Sequence, residues 1–300
     1  MSLGSLYLKL QQKFGHGLDT AYYRDYVRPK ILETRPIAET GDYSCEIHVF
    51  TSARDFINLM WGLKSFYHYS KKNYALCIHC DQSIGDEELS ILKTHFPQGN
   101  VVPWSEAMPK VMEWLKAYPL CTAVRKERVI SVKEFDFLYY LNSDRMLLFD
   151  SDLLFFAKPD HLINIIDDQT YNLNSVNGDI ETCYSLDTET LRSLVDFEVI
   201  ERFNSGLGLV HKAALSLDLF ESFLALPGIL NHKWRFEQTL MALASCRYGA
   251  ELLPVEYDVY LGKDLNKLMP MRHYVGEIRH LMYSEGMRQL TKQGFLRELT

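Results

Sequence analysis

The stretch Met146-Leu147-Leu148-Phe149-Asp150-Ser151-Asp152-Leu153-Leu154-Phe155-Phe156 sets two carboxylates, one residue apart, into the most apolar short run of the chain. Four apolar residues lead into Asp150 and four more follow Asp152. A run of this length and composition reads as a buried strand whose far end breaks into a turn. Buried carboxylates are costly unless their charge is compensated. At the end of a core strand a hard divalent cation compensates them well, because carboxylate oxygens suit Mg²⁺ and Mn²⁺. The plainer reading is that both Asp side chains only open a turn. The apolar residues on either side favour the metal.

The chain around this run alternates strand and helix. Cys45-Glu46-Ile47-His48-Val49-Phe50-Thr51 predicts a strand, residues 55–69 a helix, 74–79 a second strand, 86–94 a helix, and Val101-Val102-Pro103 a short third strand. That rhythm predicts a parallel sheet with crossover helices, an α/β fold. Ligands of such sheets bind beyond the carboxyl ends of the strands, which places Thr51, Ser52 and Asp81 on the expected ligand edge. Residues 122–141 are expected to form one helix, 161–167 a short helix, and 168–202 a weakly patterned segment with a short strand and a helix near 188–196. A strand is expected over 203–210 with a glycine-rich entry, then helices over 212–226 and from 236 to 244, a strand over 251–259, and a terminal helix in the last twenty residues. Residues 1–44 read as an N-terminal extension that packs on the main domain or on a partner. Residues 45–281 read as a single compact domain, and 282–300 as the C-terminal helix.

Composition narrows the function classes. Three hundred residues suffice for a sizeable core, and 47% apolar with 24% charged residues is ordinary for a soluble globular protein. A net charge of -7 argues against a nucleic-acid binder, which needs a basic face. The six cysteines are scattered; Cys77 and Cys80 form the one C-x-x-C, but residues three apart on a strand face opposite ways, so they share neither a metal nor a disulfide readily. Reduced core cysteines, no signal-peptide pattern and no stretch of about 20 apolar residues together lead us to expect a cytoplasmic protein without a membrane span.

Four stretches in order carry a resemblance. Asp144-Arg145 leads to Asp150-Ser151-Asp152; Phe203-Asn204-Ser205-Gly206 opens a strand; Glu237-Gln238 opens a helix; and His273-Tyr274-Val275-Gly276-Glu277-Ile278-Arg279 comes late. This set resembles the nucleotide-sugar glycosyltransferases of GT-A fold, and most of all the retaining group that contains glycogenin and the bacterial lipopolysaccharide galactosyl- and glucosyltransferases. The resemblance spans residues 45–281. Three departures stand out: Glu237 replaces the family's Asp, Arg279 replaces its Lys with a planar fork, and His280-Leu281 replaces its Pro-Trp.

The resemblance implies a Rossmann-like GT-A domain. The expected activity is metal-dependent transfer of a hexose, with retention, from a nucleoside-diphosphate sugar, UDP being favoured, to a hydroxyl acceptor such as a carbohydrate. Mn²⁺ or Mg²⁺ would be held by Asp150, Asp152 and His273, and Mn²⁺ tolerates the imidazole better. A lone His is more often structural, but Gly276 and Arg279 downstream support a functional one. Arg279 and Lys126 are candidates to hold the diphosphate or the donor sugar, although Lys126 beside Glu127 also suits a solvated helix face and Arg125 is its alternative. Thr51 and Asp81 would receive the uracil and ribose, with Ser151 and Asp150 contributing; Asp81 equally suits a cap. Asn204 and Gly206 would face donor sugar and acceptor, against a plain turn. Glu237 and Gln238 would contact sugar hydroxyls, with helix capping by Glu237 as the rival. No carboxylate is an obvious covalent nucleophile, so front-face attack is expected. Two other readings are a nucleotidyltransferase, whose glycine-rich basic stretch after the first strand is missing here, and a non-catalytic binding or scaffold protein of the same fold. Oligomeric state is left open.

Overall fold

A computed structural model describes residues 14–263 and 269–300. The strands are β1 (Asp42–Thr51), β2 (Tyr74–Cys80), β3 (Asn100–Val102), β4 (Arg145–Phe149), β5 (Leu153–Phe155), β6 (Asn174–Gly178), β7 (Phe203–His211), β8 (Ala250–Leu252) and β9 (Met271–His273). Among the helices, α1 (Phe56–Ser70) and α2 (Asp86–His95) follow β1 and β2; α3 (Trp104–Leu115), α4 (Pro119–Glu127) and α5 (Phe135–Tyr140) precede β4. Then come α6 (Asp160–Asp167), α7 (Thr188–Leu194), α8 (Leu217–Leu224) and α9 (Arg235–Tyr248).

Seven strands form one sheet in the order β3-β2-β1-β4-β7-β6-β8. The β1, β2, β3 and β4 pairings are parallel, as the alternating rhythm predicts, while β7 runs antiparallel to both β4 and β6. That reversal has a consequence for the site. The carboxyl ends of β1, β2 and β4 reach the same edge as the amino end of β7, so residues 203–206 arrive beside Asp150. The Asp150 N–H donates to the Gly206 carbonyl at 2.8 Å.

The apolar run is divided between two sheets. Met146 to Phe149 lie in β4 at the centre of the main sheet, and after the Asp-Ser-Asp turn Leu153 to Phe155 form β5, which pairs with β9 in a separate two-stranded sheet. Met146, Leu147, Leu148, Leu153, Leu154 and Phe155 are fully buried, each stabilising the fold by roughly 1.5–3 kcal/mol relative to exposure. Phe149 and Phe155 stack across the turn at 5.9 Å, with Phe66 of α1 edge-on to both at 5.8 and 5.1 Å. The carboxylates are therefore pinned between two packed strands. Register then pairs Leu153 with His273, and Tyr274 N–H donates to the Asp152 carbonyl at 2.9 Å.

Several expected elements differ. Residues 122–141 do not form one helix. The chain is extended at Arg128, makes a 3₁₀ turn over Val129–Val132, and resumes as α5. Tertiary capture accounts for the break: the Arg128 guanidinium donates to the carbonyls of Leu230 and His232 at 2.9 and 3.0 Å and lies over the Phe236 ring. The strand expected over 251–259 is only β8, because Pro254 cannot donate to a ladder and a 3₁₀ turn follows it. The helix expected over 212–226 begins only at Leu217, capped by Ser216. The terminal helix is divided into short α turns and a wider turn over Met282–Met287. Of the N-terminal extension, residues 1–13 lie outside the described residues. Its helical turns over 18–33 are tied into the core: Trp61 Nε1 donates to the Arg28 carbonyl at 2.8 Å, Arg35 N–H donates to the Leu299 carbonyl at 2.7 Å, and Ile31 is fully buried. Among the described residues no helix is long and apolar enough to cross a membrane.

Gly62 lets α1 lie against β5. A Cβ there would stand 2.7 Å from the Leu153 carbonyl oxygen, a backbone atom that cannot swing aside. Gly62→Ala should lower stability by about 1–3 kcal/mol, read as a shift of the urea midpoint; an unchanged midpoint would show that α1 and β5 separate freely.

Candidate active site

At the carboxyl edge of the sheet lies a cleft of about 420 Å³, lined among others by Thr51, Asp81, Lys133, Asp150, Asp152 and Arg279. Such a volume suits a small organic ligand. Charges of alternating sign run along its floor. Asp55 accepts from Arg279 Nη1 at 3.2 Å, and Arg279 Nη2 donates to Asp152 Oδ2 at 2.6 Å. Asp152 Oδ1 lies 3.0 Å from His273 Nε2, which stands 3.7 Å from Asp150 Oδ2. Asp150 Oδ1 accepts from Lys133 Nζ at 3.0 Å, and the same ammonium is 3.2 Å from Glu237 Oε1.

Each position follows from the fold. Asp150 and Asp152 sit in the turn between β4 and β5. The β5/β9 ribbon brings His273 across more than a hundred residues of sequence. Gly206, at the start of β7, makes room for the imidazole: a Cβ on it would stand 2.2 Å from His273 Cε1. Asn204 braces this strand entry, its Oδ1 accepting from Gly206 N–H and its Nδ2 donating to Asp179, both at 2.9 Å. Glu237, in the first turn of α9, accepts from Ser205 Oγ at 3.1 Å.

Charge and burial oppose one another here. Burial alone would raise the Asp152 carboxyl, but the His273 ring and the Arg279 guanidinium outweigh it and hold the group down at about 2. Burial would lower the His273 imidazole, yet Asp152 and Asp150 leave it raised. Lys133 is raised because Asp150 and Glu237 overcome the cost of burying its ammonium, whereas burial leaves Glu237 raised despite Lys133.

The sequence-derived candidates divide into three groups. Asp150, Asp152 and His273 converge: one ligand atom from each lies within 4.8 Å of the others. Thr51, Asp81, Ser151 and Arg279 line the cleft, Asp81 with Oδ1 accepting from Ser83 N–H in a tight turn. Glu237, Asn204 and Gly206 stand behind the floor, buried, contacting residues that reach it. Lys126, Gln238 and Gly276 are not brought in. Lys126 is exposed on α4 and outside the cleft lining. Its alternative Arg125 is fully buried, forked onto Asp136 at 2.6 and 2.9 Å and stacked on Trp104, a structural ion pair. Gln238 turns toward the Cys183 carbonyl at 3.4 Å. Gly276 borders a neighbouring cleft with Asp179 and Glu277, and a Cβ on it would touch nothing within 4 Å.

Three residues escaped the sequence reading: Lys133, Asp55 and Trp234. Lys133 was hidden inside the helix expected over 122–141; the break at Arg128 turns it inward. Asp55 lies just past the end of β1, and the edge rule that picked out Thr51 applies equally to it. Trp234 is 61% exposed at the cleft mouth, and an exposed Trp has no periodic signal.

No protein-family model and no curated protein sequence matches the chain. Its fold, however, is shared with solved proteins. The galactosyltransferase LgtC in complex with donor and acceptor sugar analogs is similar at a TM-score of 0.54 and 12% identity, over 85% of this chain and 96% of that one. The WbbM bifunctional glycosyltransferase is similar at a TM-score of 0.51 and 13% identity, over 86% of this chain and 53% of that one. At these identities the likeness shows the fold: the chain is an α/β protein of GT-A type.

The pH dependence of the metal-free protein follows from the buried pair. Asp152 titrates at about 2 instead of its ordinary 3.8, so its stabilisation is present above 3.8 and is lost as pH falls toward 2. His273 is raised, so its share is present below its ordinary 6.5 and is lost as pH rises through its folded value. In chelator, Asp152→Asn should reduce stability at pH 5 by about 2 kcal/mol and flatten the acid limb. Parallel acid-unfolding curves for variant and parent would refute this.

Proposed function

We propose that the cleft is the donor site of a divalent-metal-dependent glycosyltransferase. It would move a hexose from a nucleoside-diphosphate sugar, a UDP-sugar being favoured, to a hydroxyl acceptor with retention. The observation that carries the reading is the convergence of Asp150, Asp152 and His273 at the ligand edge of this fold. The donor set fits Mn²⁺: two carboxylates suit a hard ion, an imidazole nitrogen suits Mn²⁺ more than Mg²⁺, and the Asp152 carboxyl is held low by its cationic neighbours. When bound there, the ion would act as a Lewis acid toward the leaving diphosphate.

The chain's own residues then divide the work. Thr51 and Asp81, at the ends of β1 and β2, border the end of the cleft suited to the nucleoside. Arg279 and Lys133 supply positive charge on either side of Asp152 and Asp150, where charge-assisted bonds to phosphate or sugar oxygens are strongest. In the absence of the donor those cations are occupied by Asp55, Asp152, Asp150 and Glu237, so the donor enters a site whose charges are already in place. Glu237 supports Lys133 from behind. Because it is buried and held by Ser205 and Lys133, we favour front-face attack over a covalent intermediate: the acceptor oxygen bonds to the anomeric carbon as the bond to the diphosphate oxygen breaks, and the hydroxyl proton passes to the departing phosphate.

A panel of nucleoside-diphosphate sugars, each with and without Mn²⁺, tests the reading by thermal shift and by release of nucleoside diphosphate. A donor at 100 times its Kd should stabilise the fold by about 2.7 kcal/mol, and the shift should require the metal and vanish in Asp152→Ala. Lys133→Ala should lower kcat by roughly 10²–10³-fold while the fold persists in circular dichroism. Donor binding that survives Asp152→Ala unchanged would sink the assignment; inverted product would sink retention.

A further inference from the structure

A second cluster of metal-ligating side chains lies inside the main sheet, away from the cleft. His48 of β1 is in register with Cys77 of β2, and His79 follows two residues later. Alternation along the strands puts all three on one face. They are buried to 1% exposure or less, and one ligand atom from each lies within 4.8 Å of the others.

The surroundings are those of a ligand set. His48 Nδ1 faces His79 Nε2 at 3.0 Å, so two ring nitrogens point at each other in a dry interior. The far nitrogen of His48 stands 3.7 Å from Glu46 Oε2, a carboxylate that also accepts from Asn142 N–H at 2.8 Å. That nitrogen makes no hydrogen bond at this separation, but it faces the carboxylate, on the side where carboxylates stand behind metal-bound imidazoles, while the other ring nitrogen faces His79 and Cys77. Asn100 Nδ2 donates toward Cys77 Sγ at 3.6 Å, which favours a thiolate. Burial keeps the metal-free thiol protonated. Meanwhile His79 Nδ1 and the Tyr140 hydroxyl are buried without a partner, and Phe137 covers both imidazoles at 5.3 and 4.7 Å.

We propose that His48, Cys77 and His79 form a structural site for a thiophilic d¹⁰ cation, Zn²⁺ or Cu⁺, separate from the Asp150–Asp152–His273 site. Two imidazoles and a thiolate can hold Cu⁺ with three donors and supply three of the four donors that Zn²⁺ takes, and they disfavour Mg²⁺. Binding would release the Cys77 proton; with Zn²⁺, the thiolate and the Glu46 carboxylate would then balance the dication, leaving no net charge in the core. The site rests on these residues alone and stands or falls independently of the glycosyltransferase reading.

The test uses the full-length chain and a spectroscopic signature that the other site cannot produce, since it contains no thiol. Protein made in medium supplemented with zinc, copper or cobalt is dialysed against EDTA, and its metal content and near-ultraviolet spectrum are measured. The proposal expects about one retained equivalent per chain, as zinc with a thiolate-to-cobalt charge-transfer band in the cobalt-grown protein, or as Cu⁺ that resists a bicinchoninate chelator. Cys77→Ser should lose both metal and band, whereas Cys80→Ser, on the other face of β2, should keep them. A parent protein that retains none of the three metals overturns the proposal, and this arm decides even if the variants fail to fold. A band that persists in Cys77→Ser overturns it as well.

Discussion

Asp152 is the group on which the site depends. It is a carboxylate with 4% of its surface exposed, in a protein interior where an unpaired charge is among the most expensive features a fold can contain. Its two oxygens are taken by His273 and Arg279, neither of which lies near it in the chain. The β5/β9 ribbon, the Gly206 clearance and the turn at Gly276–Ile278 together deliver those partners. Without them the apolar run would bury an acid with nothing to answer it.

The same compensation extends outward as an alternating row from Asp55 to Glu237. Every cation in it touches acids on two sides, and each acid between the ends touches two cations. A row of this kind holds long side chains in fixed positions before any ligand arrives, which is what electrostatic preorganisation requires. It also explains why Glu237 belongs behind the site: its oxygens are committed to Lys133 and Ser205, and its length relative to Asp lets it span from α9 to both.

The main sheet also carries polar side chains away from this edge. Its β1 and β2 strands hold polar side chains deep in the interior, with His48, Cys77 and His79 gathered on one face. The C-x-x-C reading placed Cys77 and Cys80 on opposite faces, and they do belong to different packing clusters. What that reading did not reach was the neighbouring strand, since strand pairing is invisible along one segment of chain.

Residue pattern alone determined a good deal of this protein. Alternating strand and helix specified the parallel half of the sheet, strand ends put Thr51, Ser52 and Asp81 on its expected ligand edge, and the apolar run singled out Asp150 and Asp152, because periodicity and strand direction are local properties. The ordered motifs added His273 and Arg279. Only the tertiary structure decided the rest. Lys126 and Lys133 differ in which side of a chain break they occupy, and that break exists because Arg128 is captured by carbonyls a hundred residues away. The antiparallel β7 and the two-stranded ribbon are likewise set by long-range pairing, whose energy comes from partners distant in the chain. The two acids of the turn declare themselves in sequence because they interrupt an apolar run, whereas Lys133, which answers Asp150, is an ordinary surface residue type until the fold buries it.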